Sequence, residues 1–250
     1  LEPEIDELIL FLNESGAQIT KDGTTITIQG VKSLNQIRPF RIFCDRNEAV
    51  TFAVLAVATK GWIKINDLKE EYLSTFNEAM RKAGVSVEVE GNSIKYSYQN
   101  SIAPVSIVTE PHPGFMTDWQ PNWAVLMTQS SGVSTVHETV FENRFSYMEE
   151  LLKLGAQIEY VESAEGDKDT IYHFNTDEKK VLRQKIQITG GAPLHSGAIK
   201  IADLRAGATL LIAALIASGE TVVSNANILE RGYENIVDKI SGLGGKLKRV

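Results

Sequence analysis

At 250 residues, 43% hydrophobic and 23% charged, the chain has material for one large domain or two modest ones around a buried core. A formal net charge of −7 argues against nucleic acid as a general partner, because phosphate backbones select basic surfaces. One cysteine, Cys44, excludes an intrachain disulfide and suits a reducing compartment. The longest apolar run, residues 208–217, is about half a membrane span, and the acidic opening does not read as a signal peptide, so no membrane partner and a cytoplasmic location are expected.

In chain order, residues 1–34 read as an amphipathic helix with Ile5, Leu8, Ile9 and Leu12 on one face, then a glycine and a strand over Thr25-Ile-Thr-Ile28. A strand at Arg41-Ile-Phe-Cys44 follows, then a helix over 46–59, a strand at Trp62-Ile-Lys-Ile65 and a helix over 69–82. Val85-Ser-Val-Glu-Val89 and Ile94-Lys-Tyr-Ser-Tyr98 alternate with period two around Gly91-Asn92, which predicts a hairpin.

This βαβαββ pattern returns. Asp45, Asp118 and Asp203 precede Gly61, Gly132 and Gly219 by 16, 14 and 16 residues. Those glycines precede Gly84, Gly155 and Gly244 by 23, 23 and 25. Each second glycine stands where a helix ends in a left-handed C-cap, as Gly16 does near the start of the chain. The segment Glu162-Ser-Ala-Glu-Gly-Asp-Lys-Asp169 reads as a solvated hairpin insertion. The first helix of each unit is apolar almost all round and must be surrounded by protein, whereas several strands alternate as if one face met water. The expectation is an α/β fold with helices inward and sheets outward. Its divisions would be 1–36 as the tail of a preceding lobe and about 37–102, 103–190 and 191–250 as three repeats of a second lobe. The chain then starts in the middle of a repeat, as a fragment or a natural half-protein would.

Aspartate before a helix is first of all an N-cap. Three helix N-termini turned to one place would also attract an anion, with Arg46 and Arg205 beside two of them. The loop Glu110-Pro-His-Pro-Gly-Phe-Met-Thr-Asp118 approaches a helix as binding loops do. His112, His137, His173 and His195 lack ligand spacing, so no metal site is expected, and Gly242-Leu-Gly-Gly245 lies in the wrong context for a dinucleotide fingerprint. Cys44 has no histidine neighbour to activate it.

Pro113-Gly-Phe-Met-Thr-Asp-Trp-Gln120, Glu138-Thr-Val-Phe-Glu-Asn-Arg-Phe145, Ala202-Asp-Leu-Arg-Ala206 and Arg231-Gly-Tyr-Glu234 resemble signatures of the UDP-N-acetylglucosamine 1-carboxyvinyltransferases, a branch of the enolpyruvyl transferase family. Asp45-Arg-Asn-Glu-Ala49 resembles the start of that family's second lobe. The resemblance covers nearly the whole chain. It implies an inside-out α/β barrel of βαβαββ units and transfer of the enolpyruvyl group of phosphoenolpyruvate to the 3-hydroxyl of UDP-N-acetylglucosamine, without metal or organic cofactor. It also implies roles. Asp118 would hold the sugar hydroxyl and act as its base, and Asp203 would help move protons. Arg205 and Arg231 would bind phosphoenolpyruvate, Val140, Phe141 and Arg144 would line the nucleotide-sugar site, and Arg46 would lie near substrate.

Against that pattern the chain lacks most of the first lobe, including a lysine–asparagine pair and a loop bearing a reactive cysteine or aspartate; Cys44 stands at neither position. The implied partner is therefore the missing lobe of the same protein, and the isolated chain is expected to be inactive. The alternatives are a non-catalytic half-protein that only binds UDP-sugar, and the sister activity on 3-phosphoshikimate.

Overall fold

The computed structural model describes residues 2–36, 38–162, 170–174 and 183–249. The chain forms two compact units, Leu1–Cys44 and Asp45–Val250. Most of the expected insertion lies outside the described residues.

The first unit is one helix and one hairpin: α1 (Pro3–Glu14), β1 (Gln18–Asp22) and β2 (Thr25–Gln29), the strands antiparallel. Pro3 suits the first turn, where its missing N–H would have no helical partner. The expected strand at 41–44 does not form. A strand exists only where its backbone finds a ladder, and here the Phe43 N–H is taken instead by the Glu7 carboxylate at 2.7 Å.

In the second unit three helices form the centre: α2 (Arg46–Ala58), α4 (Gln120–Thr128) and α6 (Leu204–Ile216), each packed against the other two. Val50, Ala53 and Val54 of α2, Trp123 to Met127 of α4 and Leu210 to Ala213 of α6 are buried, as helices apolar all round require. The outer helices are one-sided: α3 (Ser74–Lys82) buries Phe76 and Met80, α5 (Met148–Lys153) buries Met148 and Leu151, and α7 (Ile236–Gly242) buries Ile236 and Ile240. The expected helix over 69–82 is split, since Glu70–Leu73 forms a 3₁₀ turn before α3 begins.

The strands make three separate sheets in this unit. β3 (Trp62–Asn66), β4 (Ser86–Glu90) and β5 (Ser93–Ser97) lie in the order β3-β5-β4, all antiparallel. β6 (Ile107–Val108), β7 (Val133–His137), β8 (Gln157–Tyr160) and β9 (Lys185–Thr189) lie in the order β6-β7-β9-β8, with only β6 and β7 parallel. β10 (Ala198–Lys200) and β11 (Val222–Ser224) form a parallel pair. Among the described residues the second repeat shows all six elements, the first shows no leading strand and the third no hairpin. Residues 246–249 form no strand. The layering is the expected one, helices inward and sheets outward, but no ladder joins the sheets into a closed barrel among the described residues. No described helix is long and apolar enough to cross a membrane.

Two features recur in every repeat. The residue after the capping glycine donates its N–H five residues back: Ala17 to Leu12, Val85 to Met80, Ala156 to Leu151 and Gly245 to Ile240, at 2.9, 3.0, 3.1 and 2.9 Å. This closure needs a left-handed residue, and Gly16, Gly84, Gly155 and Gly244 supply it with φ of 100°, 84°, 87° and 95°. At the position ten residues before its first glycine each buried helix carries a polar side chain: Thr51, Asn122 and Thr209. Thr209 Oγ1 lies 2.8 Å from Asn122 Oδ1, and Asn122 Nδ2 donates to Thr51 Oγ1 at 3.0 Å. The Tyr233 hydroxyl meets Thr51 Oγ1 at 2.8 Å.

Candidate active site

The three aspartates ahead of the buried helices do different work. Asp45 Oδ1 accepts from the N–H groups of Asn47 and Glu48 at 2.7 and 3.2 Å. Asp203 Oδ1 accepts from those of Arg205 and Ala206 at 3.1 and 2.9 Å. Both are N-caps. Asp118 is not: α4 starts at Gln120, and its side chain accepts no helix amide. The spacings carry the signal. Counted back from the glycines, Asp45 and Asp203 align with Met116, whereas Asp118 aligns with Asn47 and Arg205.

Freed from capping, the Asp118 carboxylate joins two guanidinium groups. Arg144 Nη2 reaches its Oδ1 at 2.7 Å and Arg205 Nε reaches the same oxygen at 2.5 Å. Its Oδ2 has no hydrogen-bond donor among the described residues. The Asp118 side chain is 13% exposed, Arg144 22% and Arg205 44%, so the cluster is half sheltered and opens on the Arg205 side. Charge-assisted contacts of this kind fix geometry more firmly than neutral ones.

Arg144 is held from several directions. Its Nη1 donates to Thr117 Oγ1 at 3.0 Å, and its guanidinium sits 4.8 Å from the centre of the Phe141 ring. Its carbonyl accepts from Gln120 Nε2 at 3.0 Å, and Gln120 Oε1 accepts from the Tyr147 hydroxyl at 2.7 Å. Burial, with the nearby Glu138 carboxylate, pushes the Tyr147 phenol well above its usual range, which keeps it a donor.

The turn carrying Val140 and Phe141 hangs from one side chain. Glu138 Oε1 accepts from the N–H groups of both, at 2.8 and 3.1 Å. Gln184 fastens the same turn, its Nε2 donating to the carbonyls of Glu138 and Phe141 at 3.0 and 2.8 Å. The Phe141 ring is half exposed.

Asp203 meets this group through its second oxygen, which accepts from Ser146 Oγ at 3.1 Å. Asp118, Asp203, Arg144 and Arg205 are therefore one connected cluster at the N-terminal ends of α4 and α6. Arg231 closes the 3₁₀ turn Ala226–Arg231, is exposed, and has no ion-pair partner among the described residues. Gly232 packs on the first residue of α6: a Cβ there would come within 2.6 Å of Leu204 Cδ2. Arg231 is thus tethered near the same helix end.

Arg46 turns inward at the start of α2. It is fully buried, its Nη1 3.3 Å from the Tyr72 carbonyl and 3.2 Å from His112 Nδ1, with its guanidinium 5.9 Å from the Trp119 ring centre. At α2 and α6 the capping carboxylates already occupy two of the helix N–H groups that an anion would meet. Sequence reasoning missed Glu138, Thr117 and Ser146, which touch the candidate residues without being charged partners of substrate; a glutamate directly after an alternating strand was the available sign of the first.

The family model described as EPSP synthase (3-phosphoshikimate 1-carboxyvinyltransferase) matches residues 1–240. The UDP-N-acetylglucosamine 1-carboxyvinyltransferase of Protochlamydia amoebophila (strain UWE25) is 38% identical over 252 residues, covering all of this chain and 53% of that protein. The protein of the same name from Sinorhizobium fredii (strain NBRC 101917 / NGR234) is 40% identical over 251 residues, again with 53% of it covered. The chain spans about half the length of the curated relatives it matches. Among solved structures, the enolpyruvyl transferase NikO from Streptomyces tendae superposes with a TM-score of 0.81 at 24% identity, over 100% of this chain and 55% of that one. EPSP synthase from Acinetobacter baumannii superposes with a TM-score of 0.71 at 14% identity, over 96% and 54%. These two likenesses carry the fold. Helices inward, sheets outward and a family model matched from the first residue to the two-hundred-and-fortieth agree: the chain belongs to the EPSP synthase (3-phosphoshikimate 1-carboxyvinyltransferase) family of enolpyruvyl transferases.

Proposed function

We propose that this chain forms one side of a site that transfers the enolpyruvyl group of phosphoenolpyruvate to the 3-hydroxyl of UDP-N-acetylglucosamine, the first committed step of peptidoglycan synthesis, in the cytoplasm. The observation that carries the reading is Asp118. Both guanidinium contacts fall on Oδ1, so Oδ2 is held in place and available to a hydroxyl.

In this reading Oδ2 accepts the proton of the sugar 3-hydroxyl as that oxygen bonds to C2 of phosphoenolpyruvate, while an acid of the opposite lobe gives its proton to C3. The tetrahedral adduct then loses the C3 proton and phosphate. Asp203, fixed by Ser146 and its own capping bonds, serves the proton movements. Arg205 and Arg231 bind the donor's anionic groups, and Val140, Phe141 and Arg144 face the nucleotide-sugar. Residues 1–36 belong with the opposite lobe and residues 37–250 form the second. That opposite lobe completes the cleft, and no metal or organic cofactor takes part.

The names of the curated relatives favour UDP-N-acetylglucosamine over shikimate 3-phosphate as acceptor. The test joins the chain to the part of such a relative that it does not cover and measures phosphate release from phosphoenolpyruvate with each acceptor. Release that depends on UDP-N-acetylglucosamine, and its absence with the chain alone, is expected. Dependence on shikimate 3-phosphate would overturn the acceptor, and UDP-sugar binding by the joined protein without any turnover would leave a binding module.

A further inference from the structure

Glu138 is a fully buried carboxylate with no cation within ion-pair distance among the described residues. Such a group is tolerated only when donors surround it. Four do: the amides of Val140 and Phe141 and the Thr109 hydroxyl on Oε1, the last at 2.9 Å, and the Thr117 hydroxyl on Oε2 at 2.8 Å.

The direction of these bonds is fixed by the carboxylate, which only accepts, and the second lone pair of each hydroxyl is left to accept in turn. Thr109 Oγ1 already accepts the Thr139 N–H at 2.8 Å, and Thr117 Oγ1 already accepts Arg144 Nη1 at 3.0 Å. Each hydroxyl therefore turns its hydrogen toward Glu138. The chain of bonds runs one way, from Arg144 through Thr117 into Glu138. A second route reaches Arg144 from the same carboxylate: the two amides held by Oε1 set the turn whose Phe141 ring lies against the Arg144 guanidinium.

We infer that Glu138 is the positioning residue of the nucleotide-sugar side of the site, aiming Arg144 at Asp118 through both Thr117 and the 140–141 turn. The inference rests on the proposed roles of Arg144 and Phe141 toward the nucleotide-sugar. It adds a buried acid that touches no substrate to the machinery that binds one. A group with two converging routes restricts a guanidinium more than either alone, and sites loosened by less than an ångström lose much of their function.

The test uses the full chain, ¹⁵N-labelled. In Glu138→Gln one acceptor oxygen becomes an amino group facing donors. The Arg144 Nε–H signal, identified by its loss in Arg144→Lys, is expected to shift or broaden in Glu138→Gln and in Thr117→Val, and to recover in Thr117→Ser, which keeps the hydroxyl. The dissociation constant for UDP-N-acetylglucosamine is expected to rise about tenfold in the first two variants and recover in the third. Glu159→Gln, on the exposed strand β8, is the control and should alter neither. An Arg144 signal and an affinity that stay in place in Glu138→Gln while its thermal midpoint falls would give Glu138 a packing role alone and overturn the inference. If Glu138→Gln does not fold, Thr117→Val and Thr117→Ser decide the same point. If the unchanged chain binds no UDP-N-acetylglucosamine, the affinities are read on the chain joined to the part of a relative that it does not cover, and the Arg144 signal still decides whether Glu138 positions it.

Discussion

A carboxylate before a helix can serve the backbone or the solvent side, and Asp118 and Asp203 divide these roles. Asp118→Asn should leave the thermal midpoint of the joined protein within a few degrees, because no helix amide depends on it, while turnover falls by roughly 10²–10⁴, the usual loss of a general base. Asp203→Ala should lose about 1 kcal/mol of stability with its cap, whereas Asp203→Asn keeps most of it. The comparison is read by thermal melts and phosphate release side by side. Wild-type-like turnover in Asp118→Asn would remove the base. At Arg231, Lys keeps charge but not the planar fork, so Arg231→Lys should raise the apparent KM for phosphoenolpyruvate without moving the midpoint. An unchanged KM would make Arg231 a solvated surface residue.

At the scale of elements, the repeat was legible because its glycines obey backbone sterics that side chains cannot evade. Three of the four left-handed closures fall on glycines that the spacing singled out, and the fourth on Gly16. The strand at 41–44 was not legible, since alternation states which face could be buried but not whether a ladder partner is present. Of the candidate residues named from sequence, Asp118, Asp203, Arg144 and Arg205 converge in one cluster. Arg46 turns into the interior, a direction that position beside a helix end does not reveal. The polar residues of the central helices are testable too. Asn122→Ala leaves the buried Thr209 hydroxyl without its acceptor and should cost about 1–3 kcal/mol. Thr209→Val combined with Asn122→Leu should cost less than the two single changes summed, because the first leaves an acceptor unsatisfied that the second removes. Chemical denaturation midpoints measure both, and strict additivity would show that the three helices do not share one network.

For the whole molecule, buried phenols tie stability to alkaline pH. Burial first, then the nearby Asp45 and Glu48 carboxylates, push Tyr233 up to about 12, against a lowering bond to Thr51 and the Arg205 charge. The folded state therefore holds this proton more tightly than the unfolded chain does, whose phenol titrates near 10. The contribution is intact below about pH 10 and is lost as pH climbs toward about 12, a decline of order 2 kcal/mol. Tyr233→Phe should flatten that decline, leaving the part due to Tyr147. Urea midpoints between pH 8 and 12 for both proteins provide the check, and parallel curves would exclude Tyr233 as the source.

Three similar repeats meeting at their middles pose a problem of identity: nothing in their shared shape says which neighbour is which. The central asparagine answers it. Two threonines cannot both give to and receive from each other along one line, and Asn122 alone offers separate giving and receiving ends, one to each neighbour. The interior therefore carries an address as well as a seal. A chain whose repeats were shuffled would still present three greasy helices of the right size, yet its middle would read in the wrong order, and only the natural succession spells it out.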